Sequence, residues 1–95
     1  MLLRIHRSAD NQTVVGICDR ELIGTTLTEG DLNIVINHHF FGTHEATEEE
    51  VLAALNDCNN INMFGKRCVA LAIEHGYLDT ESCRVIGGVP HAIIL

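Results

Sequence analysis

The chain has 95 residues, which is the length of one small domain and leaves no room for a second core. Its 46% hydrophobic and 20% charged residues are ordinary for a globular protein, which argues against intrinsic disorder. Six Lys and Arg against thirteen Asp and Glu leave a net charge of −7, a balance that repels duplex DNA and favours basic protein partners.

The opening Met1 to Arg7 has no long apolar run, and nothing approaches the roughly 20 apolar residues of a spanning helix, so no membrane contact and a cytoplasmic location are expected. Leu3 and Ile5, then Val14, Val15 and Ile17, flank the turn-forming Ser8-Ala9-Asp10-Asn11-Gln12 and suggest a hairpin of two antiparallel strands. Residues 18–31 lie between glycines and read either as an irregular excursion or as a turn of helix. Leu32, Ile34 and Ile36 alternate with Asn33, Val35 and Asn37, which predicts a third strand running into Phe40-Phe41-Gly42.

Thr47 and Glu50 fit a capping box, and Val51, Leu52, Leu55 and Cys58 follow at helical spacing, so a helix is expected from about 47 to 57. Its first turn holds Glu48, Glu49 and Glu50, the sign that a helix N-terminus favours. Beyond Asn59-Asn60, the residues Ile61, Phe64, Cys68, Leu71, Ala72 and His75 recur at three and four. They predict a second helix over about 64 to 75, stopped by Gly76. Arg84-Val85-Ile86 and Ala92-Ile93-Ile94-Leu95, separated by Gly87-Gly88-Val89-Pro90, read as a closing strand pair. Because these elements do not alternate as βαβ units, the expected fold is α+β. It is a small single domain with a mostly antiparallel sheet and two consecutive helices on one face.

Several motifs in this order, Ile17-Cys18-Asp19 with Leu22 and Gly24, Phe40-Phe41-Gly42, Asn62-Met63-Phe64-Gly65, Gly76 and Gly88-Val89-Pro90-His91, cover nearly the whole chain. Together they resemble the archaeal family of unknown function DUF424. The resemblance implies an archaeal, cytoplasmic, single-domain protein associated with translation, and it implies no particular activity. Family members tend to have Phe-Tyr-Gly where this chain has Phe40-Phe41-Gly42, so any role of that phenol oxygen is lost here.

Three constellations carry candidate chemistry. Gly65-Lys66-Arg67 opens the second helix with two cations, including the only lysine of the chain, where the helix dipole disfavours positive charge. A phosphate or carboxylate held on the free N–H groups of that turn, with Asn62 as cap or contact, would explain them; so would solvation, or pairing with carboxylates elsewhere. In Gly88-Val89-Pro90-His91 the stiff turn fixes a histidine able to act as acid, base or donor, or simply to satisfy a turn carbonyl. Cys18-Asp19 ends a strand, and Cys18 with His91 would supply a thiol and its base if the two met; otherwise Cys18 belongs to the core and Asp19 to a turn or cap.

His38, His39 and His44 invite a metal reading, but on a strand the first two point to opposite faces, so no metal or other cofactor is expected. Of Phe40 and Phe41, one ring belongs in the core and the other, taken as Phe41, is a contact candidate for a protein or a stacked base. Cys18, Cys58, Cys68 and Cys83 form no CxxC pair and read as reduced thiols, Cys58 and Cys68 at buried helix positions. The leading expectation is a non-enzymatic adaptor or binding protein in translation or ribosome assembly. It would meet a basic partner, with a local RNA phosphate contact at Lys66 and Arg67. The alternative is an enzyme or binding protein for a phosphate- or carboxylate-bearing small molecule, using Cys18, Asp19 and His91.

Overall fold

The computed structural model describes residues 1–95. Strands β1 (Leu2–Arg7) and β2 (Thr13–Cys18) form the expected antiparallel hairpin, closed by a turn in which Asn11 takes a φ of 65°. The stretch left open between helix and irregular loop holds a 3-10 turn at Arg20–Leu22 and a further strand, β3 (Thr26–Glu29). β3 pairs with β4 (Leu32–Val35) as a separate two-stranded sheet.

The third strand does not run on into the phenylalanines. It ends at Val35, and Asn37 caps a one-turn helix, α1 (His38–Phe41), its side chain accepting the Phe40 N–H at 3.1 Å. An Asn placed before a short run of large residues offers its own backbone a cap, and the local hydrogen bond overrides the alternation. α2 (Glu48–Asp57) has the predicted capping box, with Glu50 N–H donating to the Thr47 hydroxyl and Thr47 N–H to the Glu50 carboxylate, both at 3.1 Å.

Ile61–Phe64, expected to lead into the second helix, form instead the central strand β5; α3 begins afterwards and spans Lys66–Glu74. Ile61 and Met63 are fully buried on one face of β5 while Phe64 faces the other, a period of two that the spacing to Cys68 conceals. The two longer helices are therefore not consecutive. The close of α3 is as expected, with Gly76 at φ 79°. β6 (Arg84–Ile86) and β7 (Val89–Ile94) complete the sheet through a two-residue turn whose glycines, Gly87 and Gly88, both have positive φ, as the type I′ hairpin turn requires.

The five-stranded sheet has the order β1-β2-β5-β7-β6. Every pairing is antiparallel except β2 with β5, which is parallel. α2 and α3 lie on one face over Val15, Ile17, Ile61, Met63 and Ala92. The other face, with Leu2, Cys18, Phe64 and Ile86, packs against Phe41 of α1 and Leu27 of the β3-β4 hairpin. The fold is α+β, with both long helices on one side, and no helix is long and apolar enough to cross a membrane.

Candidate functional site

The parallel pairing brings the residues singled out in the sequence to one end of the sheet. β2 and β5 run in the same direction, so Cys18-Asp19 and Phe64-Gly65-Lys66-Arg67 leave the sheet side by side, and Asp19 N–H continues the ladder to the Phe64 carbonyl at 3.0 Å. On the other side of β5, Gly65 N–H donates to the Pro90 carbonyl at 2.9 Å. Pro90 has no N–H to return, and the Gly65 carbonyl is taken by Val69 N–H of α3 at 3.1 Å, so the proline leaves no orphan there.

Asp19 is the centre of this end. It is 2% exposed, and its two carboxylate oxygens accept the N–H groups of Arg67 at 2.9 Å and Cys68 at 3.0 Å. These are orphan donors of the first turn of α3, whose own N-cap, Gly65, has no side chain to offer. An anion from another strand thus caps the helix and complements its dipole. Gly65 must be glycine twice over: its φ is 122°, and a Cβ would fall inside the Asp19 carboxylate.

The cations at this end are held by carboxylates. The Arg67 guanidinium contacts Glu21 and lies 3.9 Å from Asp19, and Arg20 pairs with Glu45 at 3.1 Å. Lys66 is exposed. An open cleft of about 600 Å³, lined by Met1, Arg20, Glu21, Ile23, Glu45 and Arg67, separates the two pairs. Asn62 neither caps α3 nor reaches this cleft; it sits half-buried on β5, between Gly16 of β2 and Ile93 of β7.

Cys18 and His91 share a sheet face but do not meet. In register they flank Phe64, Cys18 on β2 and His91 on β7, so two strand spacings, about 10 Å, separate them. Phe64 fills the gap, stacked on the His91 ring with centroids 4.2 Å apart. The Cys18 thiol is pushed up to about 12 by burial and by the neighbouring Asp19 charge, the reverse of an activated nucleophile. Burial and Arg84 push the His91 imidazole below its usual range, which favours the neutral ring. Cys68 is raised in the same way as Cys18, by burial and by Asp19. All four cysteines are free; Cys68 is buried in α3, and Cys58 is the partly buried residue that ends α2.

The aromatic residues fall into a line across this face. His6 stacks on Phe40, Phe40 meets Phe41 edge-on, Phe41 meets Phe64 edge-on, and Phe64 stacks on His91. Phe41 is 3% exposed, so the outward ring of the pair is Phe40, which lies over Gly16 and whose carbonyl accepts His6 Nε2–H at 2.8 Å. The three clustered histidines stand on or near α1 and not along a strand, and their partners differ. His38 Nδ1–H donates to the Gly42 carbonyl at 2.9 Å, His44 Nε2 pairs with Glu50 at 2.6 Å, and the His39 carbonyl accepts from Arg4. No three His, Cys, Asp or Glu side chains gather in a metal-holding group.

The sequence pointed to Asp19 and Arg67 but not to Arg20, Glu21, Glu45, His6 or Phe40. Its one usable signal is a helix that opens Gly-Lys-Arg, two cations where the dipole favours an anion, and carboxylates elsewhere in the chain are one of the explanations it leaves open.

Comparison with curated proteins finds no match. The solved structure of an uncharacterized conserved protein from Methanopyrus kandleri superposes with a TM-score of 0.79 over 98% of this chain and 88% of that one. The two sequences are 22% identical, so this likeness speaks for the fold alone. A family model described as a protein of unknown function (DUF424) matches residues 6–95, and the chain belongs to that family.

Proposed function

We infer that the protein is a non-enzymatic adaptor, binding a basic protein partner in the cytoplasm of an archaeon, in the translation or ribosome-assembly setting that the family resemblance suggests. The observation that carries this reading is the internal saturation of the site. The α3 N–H groups that would hold a phosphate or carboxylate already hold Asp19, and Cys18 is separated from His91 by Phe64 and kept protonated. What remains accessible is surface, acidic overall and suited to steering a basic partner, with Lys66 left as a local cation for an RNA phosphate.

Affinity capture of the tagged protein from archaeal lysate, with and without RNase, tests this reading beside a Lys66→Ala/Arg67→Ala double variant. Enrichment of ribosomal proteins or translation factors is expected, and their absence from the captured set overturns the reading. Weaker capture by the double variant assigns the contact to this end of the sheet.

A small-molecule reading draws on the open cleft between Arg20, Glu45 and Arg67. An anionic ligand there would raise the thermal midpoint by mass action. A screen of phosphate- and carboxylate-bearing metabolites that leaves the midpoint unmoved removes it.

A further inference from the structure

The sheet face opposite α2 and α3 is only half covered. Leu2, Cys18, Phe64 and Ile86 lie under Phe41 and Leu27, and the strands run on beyond that cover to Arg4, His6, Val14, Asn62 and Ile93. Asn62 is a polar residue in the middle of the sheet, on a strand with neighbours on both sides. It is half-buried, and its side-chain amide makes no hydrogen bond within the chain and stays open to solvent. Its register partner Gly16 carries the Phe40 ring on top, so an aromatic ring stands beside the free amide. On the other side Ile93, its partner on β7, is 50% exposed.

The charges on this face have one sign. Arg4 on β1 and Arg84 on β6 are exposed at its two edges, His6 and His91 belong to the same face, and none of its strand residues is an acid, on a chain of net charge −7. Unlike Arg20 and Arg67, neither edge arginine is in an ion pair; Arg4 gives one N–H to the His39 carbonyl. Four strand spacings, about 19 Å, separate the edges. A hollow of about 230 Å³ opens beside Arg84, lined also by Ser82, His91 and Ile93.

We propose that this open face binds single-stranded RNA, a strand of about four nucleotides lying across the sheet. Arg4 and Arg84 hold phosphates at the two edges, bases stack on the His6–Phe40 pair, and Asn62 reads the edge of the base above it. A single strand fits within the positive patch, whereas the second backbone of a duplex would meet the acidic remainder, including Asp10 and Glu81 in the flanking segments. A protein partner would need more apolar area, since Ile93 is the only exposed large hydrophobic among the strand residues of this face. The site needs no basic partner and goes beyond the adaptor reading, from which it takes only the choice of RNA over DNA.

The probes are hexa-adenylate and hexauridylate, each as RNA and as DNA, titrated into the 15N-labelled full chain with an RNA hairpin and an alternating Glu-Val peptide as controls. At least one RNA hexamer is expected to shift the amides of His6, Phe40, Asn62 and Ile93, and to bind more tightly than its deoxy form or the hairpin. With two phosphates held, its affinity should fall about sevenfold between 50 and 200 mM salt. Phe40→Leu keeps an apolar group over Gly16 but removes the π surface, and should weaken binding about tenfold. Ile93→Glu, at an exposed strand position, should abolish binding while the rest of the amide spectrum stays as it was.

Unmoved amides on this face with both RNA hexamers, or affinity unchanged by Ile93→Glu, overturn the site. Shifts confined to the Lys66 and Arg67 end overturn it too, while leaving the RNA contact of the adaptor reading in place. Equal shifts from the Glu-Val peptide overturn the RNA assignment in favour of an acidic protein segment, and tighter binding of a deoxy hexamer overturns it in favour of single-stranded DNA.

Discussion

Asp19 concentrates more of the molecule's physical chemistry than any other side chain. It is a buried carboxylate whose hydrogen-bond partners are backbone donors of another element, so truncating it leaves two N–H groups without acceptors in a dry site. Asp19→Ala is expected to lower stability by about 2–4 kcal/mol, measured by urea unfolding, with Asp19→Asn losing less because it keeps one acceptor oxygen. A solvent-facing carboxylate reserved for a partner would change stability by under about 0.5 kcal/mol on the same substitution. The cations next to it show the same economy. Arg67 stands at a helix start, where the dipole disfavours a cation, and Glu21 and Asp19 beside it supply the anions that offset this.

At the scale of elements, α2 is the helix whose start depends most directly on its own sequence. Thr47→Ala removes the acceptor for Glu50 N–H and should cost about 1 kcal/mol, read as a shift of the urea midpoint with an unchanged slope. That cap was legible because both of its partners lie within one turn. The β1-β2 hairpin and the β6-β7 pair were legible for a similar reason, since alternation and turn chemistry act over a few residues. β5 was not: four residues are too few to show a period, and Ile61, Phe64 and Cys68 happen to fall at helical spacing. α1 was hidden by the alternation that precedes it, broken only by the Asn37 cap. The candidate site was half legible. Asp19, Gly65 and Arg67 could be named separately, but their meeting depends on a parallel pairing between distant strands, which no local pattern encodes.

Across the whole molecule, the buried titrating groups bound the pH range of stability from both sides. The Cys18 and Cys68 thiols bind their protons more tightly in the fold than in the unfolded chain, so they contribute fully below about pH 8.5 and that contribution is lost as pH rises towards 12. His91 is buried and its pKa is lowered, so the unfolded chain takes up a proton that the fold resists, and stability falls as pH drops below about 6.5. Urea midpoints across the pH range should therefore pass through a plateau between these limits. Cys18→Ala is expected to reduce the alkaline slope and His91→Phe the acid one.

The parallel contact of β2 with β5 also governs how the chain assembles. Everything from residue 19 to residue 60 is looped out when the middle of the sheet closes, and β5 is the strand that joins the β1-β2 hairpin to the β6-β7 hairpin. The loop entropy of that closure precedes any reward from it, so the parallel pairing is the costly contact of this topology and the two hairpins are the cheap ones. Nascent chain emerging in order would hold β1 and β2 with one flank unpaired until β5 appears. Only once Ile61–Phe64 have emerged can the parallel pairing that defines this topology form.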